Sequence, residues 1–251
     1  PLKREEWTPL ARAIGADIFD IGINRNSTKI NPLDAGPLAA AGDIIGGQTG
    51  LELRSIAVAN IVHNIIALIR INRGRDKNVS DIERTMIKAA VEAVLAVEKK
   101  PALGHLLHFF EHPSQTALSA AGLDTPAQFR DRYSELFESL SSLVFGDMAA
   151  IFSDEGMTIN PGNPDHMISA VMMTTWRLGM NAIDAHWELS QHEARKEAEA
   201  KAAGEVYTPK YTWRGFSSLM DEFWYPVRMA PGMVQEVDKL SRTNRSVGVG
   251  E

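Results

Sequence analysis

The stretch Trp213-Arg214-Gly215-Phe216-Ser217-Ser218-Leu219-Met220-Asp221-Glu222-Phe223-Trp224 reads as a buried strand ending in two adjacent acids. Phe216, Leu219 and Met220, with Ser217 and Ser218 between them, give an apolar segment of strand length, and Asp221 and Glu222 stand at its end. Two carboxylates fixed there can divide labour. One can hold a divalent cation that bridges phosphates, and its neighbour can orient or deprotonate an attacking water. The same residues also fit a half-buried strand running into an acidic turn, with no chemistry attached. No Gly-x-x-x-x-Gly-Lys-Ser/Thr loop occurs in the chain. Gly46-Gly47-Gln48-Thr49-Gly50 is glycine-rich but carries no lysine to reach β and γ phosphates.

Working outward, residues 5–14 predict a short helix stopped by Gly15, and Ala16-Asp17-Ile18-Phe19-Asp20-Ile21-Gly22 predicts a strand. Asn31-Pro32-Leu33-Asp34 is a turn. From Leu51 to Ile71 apolar residues recur at intervals of three and four, which predicts a long, largely buried helix. Ser80-Asp81-Ile82-Glu83 is a capping box that opens a helix through about Val97. Further helices are predicted at 102–111, 114–121, 126–144 (opened by Thr125-Pro126), 165–203 and 231–242. The second half of the long helix, His192 to Lys201, alternates charge with alanine and is expected to run into solvent. The fold class expected from this order is α/β with a large helical content. Residues 1–48 would form part of the core, 49–160 an all-helical insert, and 161–251 the rest of the core.

Composition bounds the function. The 251 residues are 44% hydrophobic, enough to bury a core. A net charge of −6 argues against a dedicated nucleic-acid module, which would carry a basic face. The absence of cysteine removes disulfides, thiolate nucleophiles and cysteine zinc sites, and fits a reducing compartment. No apolar run reads as long enough to cross a membrane, and no signal peptide is visible. The first residues, Pro1-Leu2-Lys3-Arg4, and the last, Ser246-Val247-Gly248-Val249-Gly250-Glu251, read as the edges of a fragment.

Three motifs in order carry a resemblance. Lys3 to Ala11 with the following strand and Lys29-Ile30-Asn31-Pro32-Leu33-Asp34 resembles the segment after the second core strand in conjugation and type IV secretion ATPases of the HerA/FtsK class. The strand ending in Asp221-Glu222 is similar to that family's Walker B element. Leu240-Ser241-Arg242-Thr243-Asn244-Arg245-Ser246-Val247-Gly248-Val249-Gly250 resembles its arginine-bearing turn. The resemblance covers nearly the whole chain. It implies an incomplete RecA-like core carrying the helical insert, with ATP and Mg²⁺ as cofactors and a hexameric ring with sites between subunits. Partners would be secretion or conjugation apparatus subunits, with DNA as a further candidate, and the location would be cytoplasmic at the inner face of a membrane. Asp221 would be the magnesium-side acid, Glu222 the catalytic acid, and Arg242 or Arg245 the residue presented to a neighbouring nucleotide. The chain departs from the pattern in lacking the phosphate loop, expected ahead of Pro1, and the final sensor strand, expected after Glu251. It also lacks an apolar strand between Phe152 and His166. The isolated 251 residues are therefore expected to turn over no ATP. The alternative from another class is a non-catalytic helical interaction domain.

Other clusters have two readings each. His105, His108 and His112, with Glu111 adjacent, could bring imidazoles to one helix face for zinc, or could simply serve as cations at a helix end. Arg70, Arg73, Arg75 and Lys77 could touch DNA or an acidic partner, or cap a helix C-terminus. Met167, Met172, Met173, Trp176 and Met180 read as core, and Trp187 as core or subunit contact.

Overall fold

The computed structural model describes residues 4–19, 21, 28–74, 78–146, 148–152, 164–217, 234 and 249–250. The first helix, α1, spans Arg4–Ala13, and α2 (Gly36–Ile45) turns at Gly46-Gly47 directly into α3, the 27-residue helix Gly47–Arg73. Both glycines of that turn have positive φ (67° and 58°), a conformation open to glycine at little cost. The two helices then run close together: a Cβ added at Gly42 would lie 2.7 Å from the carbonyl oxygen of Gly50. The glycine-rich segment thus builds a tight helical hairpin.

α3 is the hub. Its buried residues span most of the helix circumference, leaving a stripe through Glu52, Ile56, Ala59 and His63 exposed, the pattern of a helix covered from more than one side. On one side lie α4 (Asp81–Val97), α5 (Leu103–Glu111) and α8 (Ser134–Phe145), with the short helices α6 (Gln115–Ala121), α7 (Pro126–Arg132) and α9 (Ala149–Phe152) closing the layer. Ile65, Leu68 and Ile69 of α3 meet Ile87 and Val91 of α4, Phe110 of α5 and Leu136 and Leu140 of α8 in one core. On the other side α2 and the 39-residue α10 (Pro164–Ala202) pack through Leu38, Ala41, Leu53, Ala57, Ala185 and Leu189. By length and composition α3 could cross a membrane, contrary to the sequence expectation; here it is the central core helix.

Local signals explain several boundaries. Ser80 Oγ accepts from the Glu83 amide while the Glu83 carboxylate accepts from the Ser80 amide, so the expected capping box forms. The helix expected over 126–144 is two, broken at Tyr133 (φ −110°, ψ 23°). Tyr133 is buried and packs its ring against Phe110 and Phe129, at 6.2 and 4.7 Å between centroids.

The α/β expectation, with an incomplete RecA-like core, is corrected: the described residues form a helical assembly. Their only strands are β1 (Phe216–Ser217) and β2 (Val249–Gly250), one parallel pair in the register Phe216↔Val249 and Ser217↔Gly250. The strand expected at 16–22 is reduced among the described residues to a single bridge, Ile21 to Thr28. Its apolar side chains Ile18 and Phe19 are exposed, and no neighbouring ladder among the described residues satisfies its backbone. A two-residue pair is too small to organise a core of its own.

Candidate functional site

Asp221, Glu222, Arg242 and Arg245 lie outside the described residues, as does the helix expected at 231–242 apart from Val234. What is described are the two approaches to that stretch. β1 leads into the acids and β2 follows the arginines, and the two pair side by side.

Residues 205–215 connect α10 to β1 as an extended strap laid back along the helix. Its side chains alternate, with Tyr207, Tyr211 and Trp213 half-buried and Thr208, Lys210, Thr212 and Arg214 exposed. A period of two is what an extended chain with one covered face produces, whatever covers it. Here the cover is a helix. Trp213 meets Trp187 edge to face at 4.9 Å, and His186 stands among Tyr211, Trp213 and Phe216. The anchor is Glu193, a buried carboxylate in the charged half of α10. It accepts from the Lys210 amide at 2.6 Å and the Tyr207 hydroxyl at 3.0 Å. The Lys210 amide is the chief reason that the Glu193 carboxyl sits below its ordinary pKa, with Tyr207 and the nearby Lys196 and His192 adding to it against the opposing effect of burial. Most of that half of α10 does face solvent, as its charges predict, but Glu193 escapes the pattern. The Tyr-x-Pro-x-Tyr-x-Trp alternation of 207–213 was the signal that could have found the strap.

The Asn31-Pro32-Leu33-Asp34 turn is built into the helical assembly. Asn31 Nδ2 donates to the Pro101 carbonyl at 2.7 Å and its Oδ1 accepts from the Leu33 amide, while Asp34 caps α2 through the Gly36 amide. Leu33 is wholly buried, and the Ile30 amide donates to Ile151 in α9. A cleft of about 1060 Å³ opens beside the turn, with Lys29, Asn31, Asp34, Lys99, Lys100 and His105 on its walls.

Of the basic cluster at the C-terminal end of α3, Arg73 is structural. Its guanidinium donates to Glu83 at 2.6 Å and to Ser139 Oγ at 2.7 Å, with only 6% of its side chain exposed. Arg70 donates to Asn78, and Arg75 and Lys77 lie outside the described residues. Met173 and Met180 are buried, as core residues should be.

The histidines divide. His105 Nδ1 accepts from the Ala102 amide at the start of α5, and its Nε2 lies 3.7 Å from Glu98, so it belongs to the helix N-terminus. His108 and His112 sit together at the other end with rings 4.6 Å apart. Compared with known proteins, the chain matches no family model, no curated protein and no solved structure.

Proposed function

We propose that these residues are part of the motor of a hexameric ATPase powering conjugative DNA transfer or type IV secretion, with the helical assembly as its accessory body. The observation that supports this reading is the parallel pairing of β1 with β2. It puts the strand leading into Asp221-Glu222 beside the strand following Arg242 and Arg245, in the motif order that carries the resemblance. In this reading Asp221 would hold Mg²⁺, Glu222 would orient the attacking water, and Arg242 or Arg245 would serve a neighbouring subunit's nucleotide.

Because the 251 residues contain no phosphate-cradling lysine loop, they are expected to hydrolyse no ATP alone. The test is ATP turnover by the protein that contains these residues, beside its Glu222→Gln form, with nucleotide binding measured on both. Binding retained with turnover collapsed supports the proposal. A protein that folds yet never hydrolyses ATP removes it in favour of a second reading, a non-catalytic helical interaction domain. That reading is favoured by the dominance of helix among the described residues. Arg242→Ala or Arg245→Ala should reduce turnover far more than ATP binding, as loss of transition-state charge stabilisation requires.

A further inference from the structure

We propose that His108, Glu111 and His112, at the C-terminal end of α5, form a surface site for a divalent transition metal of the zinc class. One donor atom from each side chain lies within 4.8 Å of the other two. Ligands about 2.0–2.2 Å from a tetrahedral zinc stand roughly 3.3 Å from one another. The two exposed imidazoles and the half-buried Glu111 reach that spacing by small torsional adjustments, without moving the helix. The spacing explains the convergence: i, i+3 and i+4 on a helix share one face.

The backbone beneath them is fixed. Phe110, between the ligands, is buried against Phe129 and Tyr133. The His112 amide still bonds to the His108 carbonyl at 2.9 Å. Pro113 then forces the chain out of the helix, and Arg130 donates to the Glu111 carbonyl from α7. The two imidazoles contact each other, and the Glu111 carboxylate has no partner among the described residues, so binding displaces no existing salt bridge. The helix C-terminus adds its negative dipole end in favour of a cation. Two imidazole nitrogens and one carboxylate oxygen suit Zn²⁺, with Ni²⁺ and Cu²⁺ as chemically similar competitors, and leave a fourth position for water. His105 takes no part, being held at the opposite end of α5.

The experiment is calorimetric titration of the metal-stripped chain with Zn²⁺, repeated with His108→Ala, His112→Ala, Glu111→Gln and His105→Ala. One zinc per chain is expected. Loss of either imidazole ligand should weaken binding by more than the roughly 10–100-fold typical of losing an outer-shell partner, while His105→Ala leaves it unchanged. Zinc at about 100 times its dissociation constant should raise the melting temperature of the unaltered chain by roughly 5–10 °C. Should a variant fail to fold, imidazole NMR of the unaltered chain decides. Zinc must perturb two of the seven histidines, and a titration that moves any other pair, or none, overturns the site.

Discussion

Glu83 uses its two oxygens for two different purposes. Oε1 accepts from Arg73 and Oε2 accepts from the amide and hydroxyl of Ser80, so one side chain both neutralises a buried cation and caps α4. Burial alone would raise its pKa, but the hydrogen bonds from Arg73 and Ser80 and the Arg73 charge outweigh that and hold it below the ordinary carboxylate value. Glu83→Ala leaves Arg73 buried without a countercharge and should cost about 3–5 kcal/mol in urea unfolding, the range for removing one partner of a buried pair. Glu83→Gln keeps an acceptor for Ser80 and should cost less. Since the folded-state pKa is the lower one, the stabilisation is complete above the unfolded value near 4.5 and fades as pH falls through the folded value. The gap in urea midpoint between the unaltered chain and Glu83→Gln should therefore narrow on acidification; a gap constant from pH 7 to pH 3 would contradict the assignment.

Two elements depend on close approach. At the α2–α3 hairpin, Gly42→Ala places a methyl group against the Gly50 carbonyl and should destabilise by about 1–3 kcal/mol. Gly179→Ala, exposed inside α10 with nothing within 4 Å of its added carbon, should instead stabilise by about 1 kcal/mol through helix propensity alone. Opposite signs for the same substitution, read from thermal unfolding, are the check. For the strap, Glu193→Ala should accelerate hydrogen exchange at the Lys210 amide while leaving amides of α4 unchanged. The same elements mark what sequence could and could not disclose. The capping box of Ser80 and Glu83 was legible because all its partners lie within one turn. Gly46, Gly47 and Gly50 were weighed only as a phosphate loop, since their helix-to-helix contact leaves no local trace. The strand reading rested on Phe216, Leu219 and Met220, whereas the strap before it carries its own alternation at Tyr207, Tyr211 and Trp213, which reports a covered face but is silent about whether a sheet or a helix does the covering. Among the histidines, spacing grouped three; the bond from the Ala102 amide to His105 reduced them to two.

At the scale of the whole molecule, α3 belongs to both apolar clusters, which predicts that they unfold together. Phe110→Ala, in the main core, should cost about 3–5 kcal/mol. The near-ultraviolet signal of Trp187 and Trp213, on the far side of α3, should shift to the same new midpoint as far-ultraviolet helicity. Two separated transitions would mean that α10 and its strap melt independently. Helix α3 must wait for its cover. During synthesis it emerges long before Ala185 and Leu189, which complete the packing around Leu53 and Ala57. At about 5–20 residues per second that delay is on the order of ten seconds. Through that interval the Leu53 and Ala57 face of a helix long and apolar enough, by composition, to cross a membrane stays open to water until the last long helix is made.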